Sequence, residues 1–141
     1  MNIDTTFLHR CIEALQRALD GIVTHDGSDE VLYDVYRAAC VKQFELVLEQ
    51  SGKLPRKCLA AFFASNRQAD RLPFKDLFRH GAKHGLLDPE AVERWLRYRD
   101  NHNDTAHDYG EHFAETTLQL LPTFITDAKA LAERIEAASD A

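Results

Sequence analysis

Apolar residues recur along most of the chain at intervals of three and four, the period of a helix with one buried face. Phe7, Leu8, Cys11, Ile12, Leu15, Leu19 and Ile22 form the first stripe, with Asp4 placed to cap it. The polar run "THDGSDE" interrupts the pattern. Ser28 then suits the N-cap of a second helix, with Asp29 and Glu30 in its first turn, running through Leu32, Val35, Tyr36 and Ala39 to Leu48. Gly52 is expected to close that helix, and Pro55 to open a short third one, "RKCLAAFFAS". Pro73 suits the start of a fourth helix and Gly85 its end, while Asp88-Pro89-Glu90 signals the start of a fifth. The last stripe begins at Phe113, meets the polar Thr117 in phase, and continues through Leu120, Leu121, Phe124, Ile125, Ala128, Leu131 and Ile135. Pro122 falls inside this run without shifting its phase, so one long helix kinked near Pro122, or two nearly coaxial ones, is expected. Strand-like alternation, repeats and low-complexity linkers are missing from the sequence. The pattern predicts an all-α fold, an up-and-down bundle of five to six helices in a single domain over residues 1–141.

One stretch does not fit an ordinary amphipathic helix. "WLRYRDNHNDTAHDYGEHF", residues 95–113, holds three histidines, five asparagines or aspartates and two tyrosines. In one continuous helix His102 and His107 would lie about 140° apart and could not act on one target. "NHNDT" has poor helix propensity and good capping chemistry, so a break is expected near residues 101–105, with Asn103 or Asp104 capping the next helix. That would place His107 in a helical first turn, where outward N–H groups favour an anion such as phosphate and an imidazole can exchange a proton near neutral pH. Polar surface residues at a helix break are the bland alternative. Two histidines, the adjacent amides, a tyrosine, Arg97 and Arg99 within one segment bring the functional reading level with it.

Composition narrows the chemistry. The net charge of −6 argues against a nucleic-acid ligand, but the charge is segregated: residues 53–84 carry eight Lys or Arg against two Asp, a local +6. Lys75, Arg79 and Lys83 are four apart, one edge of a helix, and Arg67 and Arg71 precede them at the same spacing. A solvated helix face is the ordinary reading, and phosphate tracking the sharper one. Cys11, Cys40 and Cys58 are odd in number and sit among apolar helical positions, as expected of reduced, buried thiols in a cytoplasmic protein. The start of the chain has no secretory pattern, and no apolar run approaches the roughly 20 residues that span a bilayer. His80 and His84 have zinc-ligand spacing but lack an HExxH pattern or a nearby Cys, so no metal is expected.

At "YRDNHNDTAHDYGEHFAETTLQLLPTFI" the sequence resembles the HEPN superfamily, and within it the HepT-type toxins, also labelled nucleotidyltransferase substrate-binding proteins. Their hallmark is Arg, four residues, His, one residue, Tyr, often with Asn directly after the Arg. Asn103, His107 and Tyr109 match it; "KQFELVLEQ" and the C-terminal stripe extend the likeness over most of the chain. His102 stands where the family has Arg, and Arg99 lies too far from His107 to take that place. The resemblance implies the toxin of a type VII-like toxin–antitoxin pair, a metal-independent endoribonuclease needing no cofactor, whose composite cleft forms in a homodimer. It implies tRNA or mRNA as substrate, with no DNA or membrane partner. It also implies a minimal nucleotidyltransferase antitoxin that transfers AMP to Tyr109.

In that frame His107 is the acid–base group, Asn103 orients it or the phosphate, and His102 occupies the place of the charge-stabilising Arg. Arg99, Lys75, Arg79 and Lys83 are the accompanying RNA-binding candidates. An imidazole is largely neutral at pH 7 and cannot grip phosphate bidentately, so weak or absent cleavage is expected, as in a naturally degenerate or deliberately disarmed toxin. The alternative is a noncatalytic subunit that presents a substrate to a nucleotidyltransferase.

Overall fold

The computed structural model describes residues 2–25, 27–105 and 111–140, and the side chains among these except those of 103–105, 111 and 140. Six α-helices follow one another among the described residues: α1 (Thr6–Thr24), α2 (Glu30–Leu59), α3 (Asn66–Asp70), α4 (Phe74–Lys83), α5 (Pro89–Thr105) and α6 (Glu111–Asp140). A single 3-10 turn, Ala60–Phe62, prolongs α2. The all-α expectation holds. The long α2 is the hub: it packs on α1 and α6 along one side and on α3, α4 and α5 toward its C-terminal end.

The α1 stripe forms as its spacing predicts, with Leu8, Cys11, Ile12, Leu15 and Ala18 buried, although Phe7 at its edge is 49% exposed. Asp4 Oδ1 accepts the Thr6 N–H at 2.9 Å, while Thr5 holds the formal cap position. Asp29, not Ser28, is the N-cap residue of α2, and its side chain accepts the Leu32 N–H at 3.0 Å. At the α1–α2 hairpin the backbones come close. A Cβ on Gly21 would lie 2.5 Å from the Tyr36 ring, so a residue with no side chain is required there.

Two expected boundaries do not exist. Gly52 does not close α2 and Pro55 does not open a new helix; both lie inside α2, buried. A proline in a helix interior costs about 3 kcal/mol relative to Ala, so packing must offset it. Gly52 leaves room for the Arg56 guanidinium: a Cβ there would lie 3.2 Å from its Nη1, while the Phe74 ring of α4, at 3.6 Å, would be at ordinary contact distance. Arg56 then donates to the Gly52 carbonyl and to the Leu72 carbonyl, each at 2.8 Å, tying α2 to the strap that enters α4. Burial lowers the pKa of this guanidinium.

Gly85 does end α4. At φ +83° it occupies the left-handed region, and the Leu86 and Gly85 N–H groups return to the Gly81 and Ala82 carbonyls at 2.9 and 3.2 Å, a Schellman closure. Pro122 lies within α6, which continues unbroken. The three thiols are free and buried, and burial alone pushes that of Cys40 up to about 11.

The seam between α5 and α6 holds the largest buried side chains. Trp95 stacks on Phe78 at 5.0 Å, and Phe124 meets Phe44, Trp95 and Tyr98 at ring separations of 4.7, 5.7 and 4.9 Å. Inside this apolar seam sits the Asp127 carboxylate, 8% exposed. Arg94 grips it bidentately through Nε and Nη2, both at 2.9 Å, and the Tyr98 hydroxyl donates to it at 2.6 Å. Burial, then the bond to Asp127, raises the Tyr98 phenol well above its ordinary value. Replacing Tyr98 by Phe should destabilise the fold by about 1.5–3 kcal/mol, the range for a hydrogen bond to a charged group. A urea titration would show a lower midpoint at unchanged slope.

Candidate functional site

The junction between α5 and α6 is where the polar stretch falls, and the structure corrects one expectation about it. α5 ends at Thr105 and α6 begins at Glu111, two helices as the break expected near residues 101–105 requires, but Asn103 and Asp104 belong to the last turn of α5 and neither caps the next helix. Low propensity in "NHNDT" is overridden by the anchoring of the helix ahead of it. Asn101 Nδ2 donates to Thr117 Oγ1 at 2.9 Å, joining the end of α5 to the second turn of α6. Thr117, the one polar residue in the C-terminal stripe, is fully buried. Its place in the apolar phase was the sequence signal for this bond.

A second tie flanks the same junction. Tyr33 Oη donates to Glu115 Oε1 at 2.8 Å and Arg37 Nη1 to the same oxygen at 3.1 Å, linking the first half of α2 to the first turns of α6. The carboxylate raises the Tyr33 phenol above its usual value. Beside this tie His25, Gly27, Glu30, Tyr33, Asp34 and Arg37 line a polar cavity of about 350 Å³. Sequence reasoning missed the Tyr33–Arg37–Glu115 tie because its members lie on α2 and α6, far apart in the chain.

His102 lies in the last turn of α5, half-buried, and its Nδ1 is buried without a hydrogen-bond partner. Arg99, three residues earlier and hence its neighbour on the helix surface, sets its guanidinium 5.2 Å over the Phe74 ring. Arg97 is exposed two positions from Arg99, so the two point to different sides of α5. The side chain of Asn103, and His107 and Tyr109 altogether, lie outside the described residues.

Lys75, Arg79 and Lys83 stand exposed along the outer edge of α4, opposite the buried Leu77 and Phe78. Phe74 brings the N-terminal end of α4, with Lys75, alongside Arg99; the C-terminal end with Lys83 runs away toward the start of α5. His80 and His84 face phenylalanines: His84 stacks on Phe62 at 3.9 Å and 16°, and His80 meets Phe63 edge-on at 5.3 Å. Among the described residues no cluster of three or more His, Cys, Asp or Glu is arranged to hold a metal ion. No helix there is long and apolar enough to cross a membrane.

A helical bundle whose last two helices bracket a polar, histidine-bearing junction defines the class of protein. Residues 4–137 match the family described as nucleotidyltransferase substrate binding protein like, and the chain belongs to that family. A curated relative, the probable ribonuclease HepT of Haemophilus influenzae, is 26% identical over 110 residues, 78% of this chain and 74% of the relative. A solved structure from Haemophilus influenzae shares the fold at a TM-score of 0.84 and 23% identity, over 94% of this chain and 99% of that one. Its title describes the fold of a substrate binding domain of a nucleotidyltransferase.

Proposed function

We propose that the chain is the toxin-type partner of a minimal nucleotidyltransferase: a metal-independent endoribonuclease by lineage, with cleavage suppressed by His102. The observation that carries this reading is the histidine at the end of α5, in the place of the motif Arg, on a chain that belongs to the nucleotidyltransferase substrate-binding family and resembles a probable ribonuclease. The chemistry needs no metal. The ribose 2′-OH attacks the adjacent phosphorus as His107 takes its proton, and the P–O5′ bond breaks as the leaving oxygen is protonated by the second subunit's copy of this histidine. The products are a 2′,3′-cyclic phosphate and a 5′-hydroxyl. Charge accumulating on the phosphorane calls for a permanent bidentate cation, which an imidazole does not supply.

Restoring that cation is the direct test. The His102→Arg variant should raise cleavage of a tRNA or mRNA substrate by about 10²–10³-fold, the cost of one lost transition-state donor. It should also arrest growth on expression, and the rate should fall back when His107→Ala is added. An Arg variant no faster than the parent would refute the nuclease reading. It would leave the second one, a noncatalytic subunit that presents a substrate to a nucleotidyltransferase, a role for which residue 102 has no need of charge.

Tyr109 is the proposed acceptor of AMP. A nucleotide phosphate beside His107 would fill the cleft and repel RNA. Co-expression with a minimal nucleotidyltransferase partner should add one AMP to the Tyr109 peptide, detected by mass spectrometry and abolished by Tyr109→Phe. An unmodified peptide would assign Tyr109 a packing role.

Pairing of two chains completes the proposed cleft. The start of α2 supports it: Val31 and Val35 are 73% and 57% exposed, and Leu32 40%, on the helix whose Tyr33 and Arg37 reach Glu115 beside the junction. The expected core stripe through Leu32 and Val35 is therefore corrected to an outward apolar edge. Val31→Glu/Val35→Glu should convert a dimer to a monomer in sedimentation equilibrium without loss of helicity.

A further inference from the structure

The basic segment has a second feature that charge alone does not explain. Among the described residues, none of the eight Lys and Arg of residues 53–84 forms an ion pair. Lys75, Arg79 and Lys83 therefore present a row of cations outside any ion pair, about 12 Å long at the rise of an α-helix, with Asp76 the one acid on the same helix. Alongside it, one residue further around α4, runs the row of His80 and His84. His84 is exposed and stacks on Phe62, itself 59% exposed at the end of the turn that follows α2. An exposed aromatic ring is ordinarily withdrawn from water; here two are stacked on each other in the open beside a cation row. Arg67 and Arg71 of α3 add two more exposed cations, lining a cavity of about 270 Å³ with Ser65, Gln68, Leu72 and Pro73.

We propose that this face, from Arg99 and Lys75 to the Phe62–His84 pair, is a single-stranded RNA-binding track whose far end is a base-stacking platform. The cations follow the phosphates, and the exposed rings of Phe62 and His84 take an unpaired base by its π-face, a combination that suits unpaired strands irrespective of sequence. An acidic protein surface would use the charges but has no call for a paired aromatic platform. The inference rests on RNA being the ligand of the proposed function, and it adds where RNA is held away from residues 102–109.

Fluorescence anisotropy on the full chain tests it, using labelled single-stranded RNA of about 4 and about 16 nucleotides, the range seen for such sites, and a duplex of the longer sequence. The longer single strand should bind best. Phe62→Ala should weaken it by about tenfold without altering the salt dependence, while Phe62→Tyr retains affinity. Neutralising Lys75, Arg79 and Lys83 to Gln should flatten the log–log salt slope by about 2, three phosphate contacts at roughly 0.7 each. Binding indifferent to both changes, or a preference for duplex, would overturn the track. So would a chain that ignores RNA and whose triple variant instead loses its nucleotidyltransferase partner. The two proposals fail separately. If the His102→Arg protein cuts RNA equally well with Phe62→Ala and the triple change, the track is wrong and the nuclease stands. If RNA binds through this face yet the Arg form does not cut, the track stands alone.

Discussion

The Asp127 carboxylate sets the register of the two helices that matter most. It is buried among aromatic rings, and its charge is tolerable there because Arg94 and Tyr98, both on α5, supply three short hydrogen bonds. Those bonds reach across from α6 in one alignment only. Slide α5 by one residue and the guanidinium and phenol turn about 100° away, leaving a buried charge unpaired. Because a helix is stiff, the alignment at Tyr98 and Asp127 carries forward to Asn101 and Thr117, about one turn closer to the junction along α5 and about three turns closer along α6. His102 follows directly. The place of His102 in the bundle thus depends on a bond network of which it is not itself a part.

The same logic explains why polar residues bracket the junction. Asn101–Thr117 on one side and Tyr33–Arg37–Glu115 on the other pin the opening turns of α6 to two different helices. Each pins geometry where burial of apolar surface alone would permit sliding, since apolar contacts are not directional. The long α2 serves both ends of the bundle, with its first half toward the junction and its second against α3 and α4. That is why it runs on through Gly52 and Pro55. Breaking it there would uncouple the face that carries the cations from the helices that carry the motif.

Where periodicity was strong the sequence was legible: the α1 stripe and the α4 stop at Gly85 are as the spacing predicts, and of the two forms the C-terminal stripe allowed, it is one helix through Pro122 and not two. What it hid were decisions made by packing. Gly52 reads as a stop signal because a lone glycine usually is one, yet here it lies inside α2 with the Arg56 guanidinium folded back over it. "NHNDT" reads as the cap of the next helix because its residues prefer caps, yet Asn101 is already bonded across to α6 and α5 runs on to Thr105. The short α3 was too brief for any period to show, although Ser65 and Gln68 carry capping chemistry, with the Gln68 N–H on Ser65 Oγ at 3.2 Å. For the site, the motif residues were visible as composition, but Tyr33, Arg37 and Glu115 were not, since nothing local in sequence joins positions that far apart.

The placement of charge bears on why one substitution at residue 102 weighs so heavily in the proposed nuclease. The chain holds many cations, but a transition state can use only one that is rigid and within reach. Lys75, Arg79 and Lys83 are solvated, and Arg99, the closest guanidinium along α5, lies over Phe74 one helical turn back from His102. Surface cations gather RNA and pay little for doing so, because a hydrated phosphate and a hydrated ammonium meet without burial. Stabilising a phosphorane asks for the opposite: a charge already stripped of water and held at the reacting atoms. His102, with its Nδ1 buried and without a hydrogen-bond partner, brings fewer donors than the Arg that the proposed nuclease calls for. Abundant charge on α4 therefore cannot compensate for its loss at the end of α5; the two do different physical jobs.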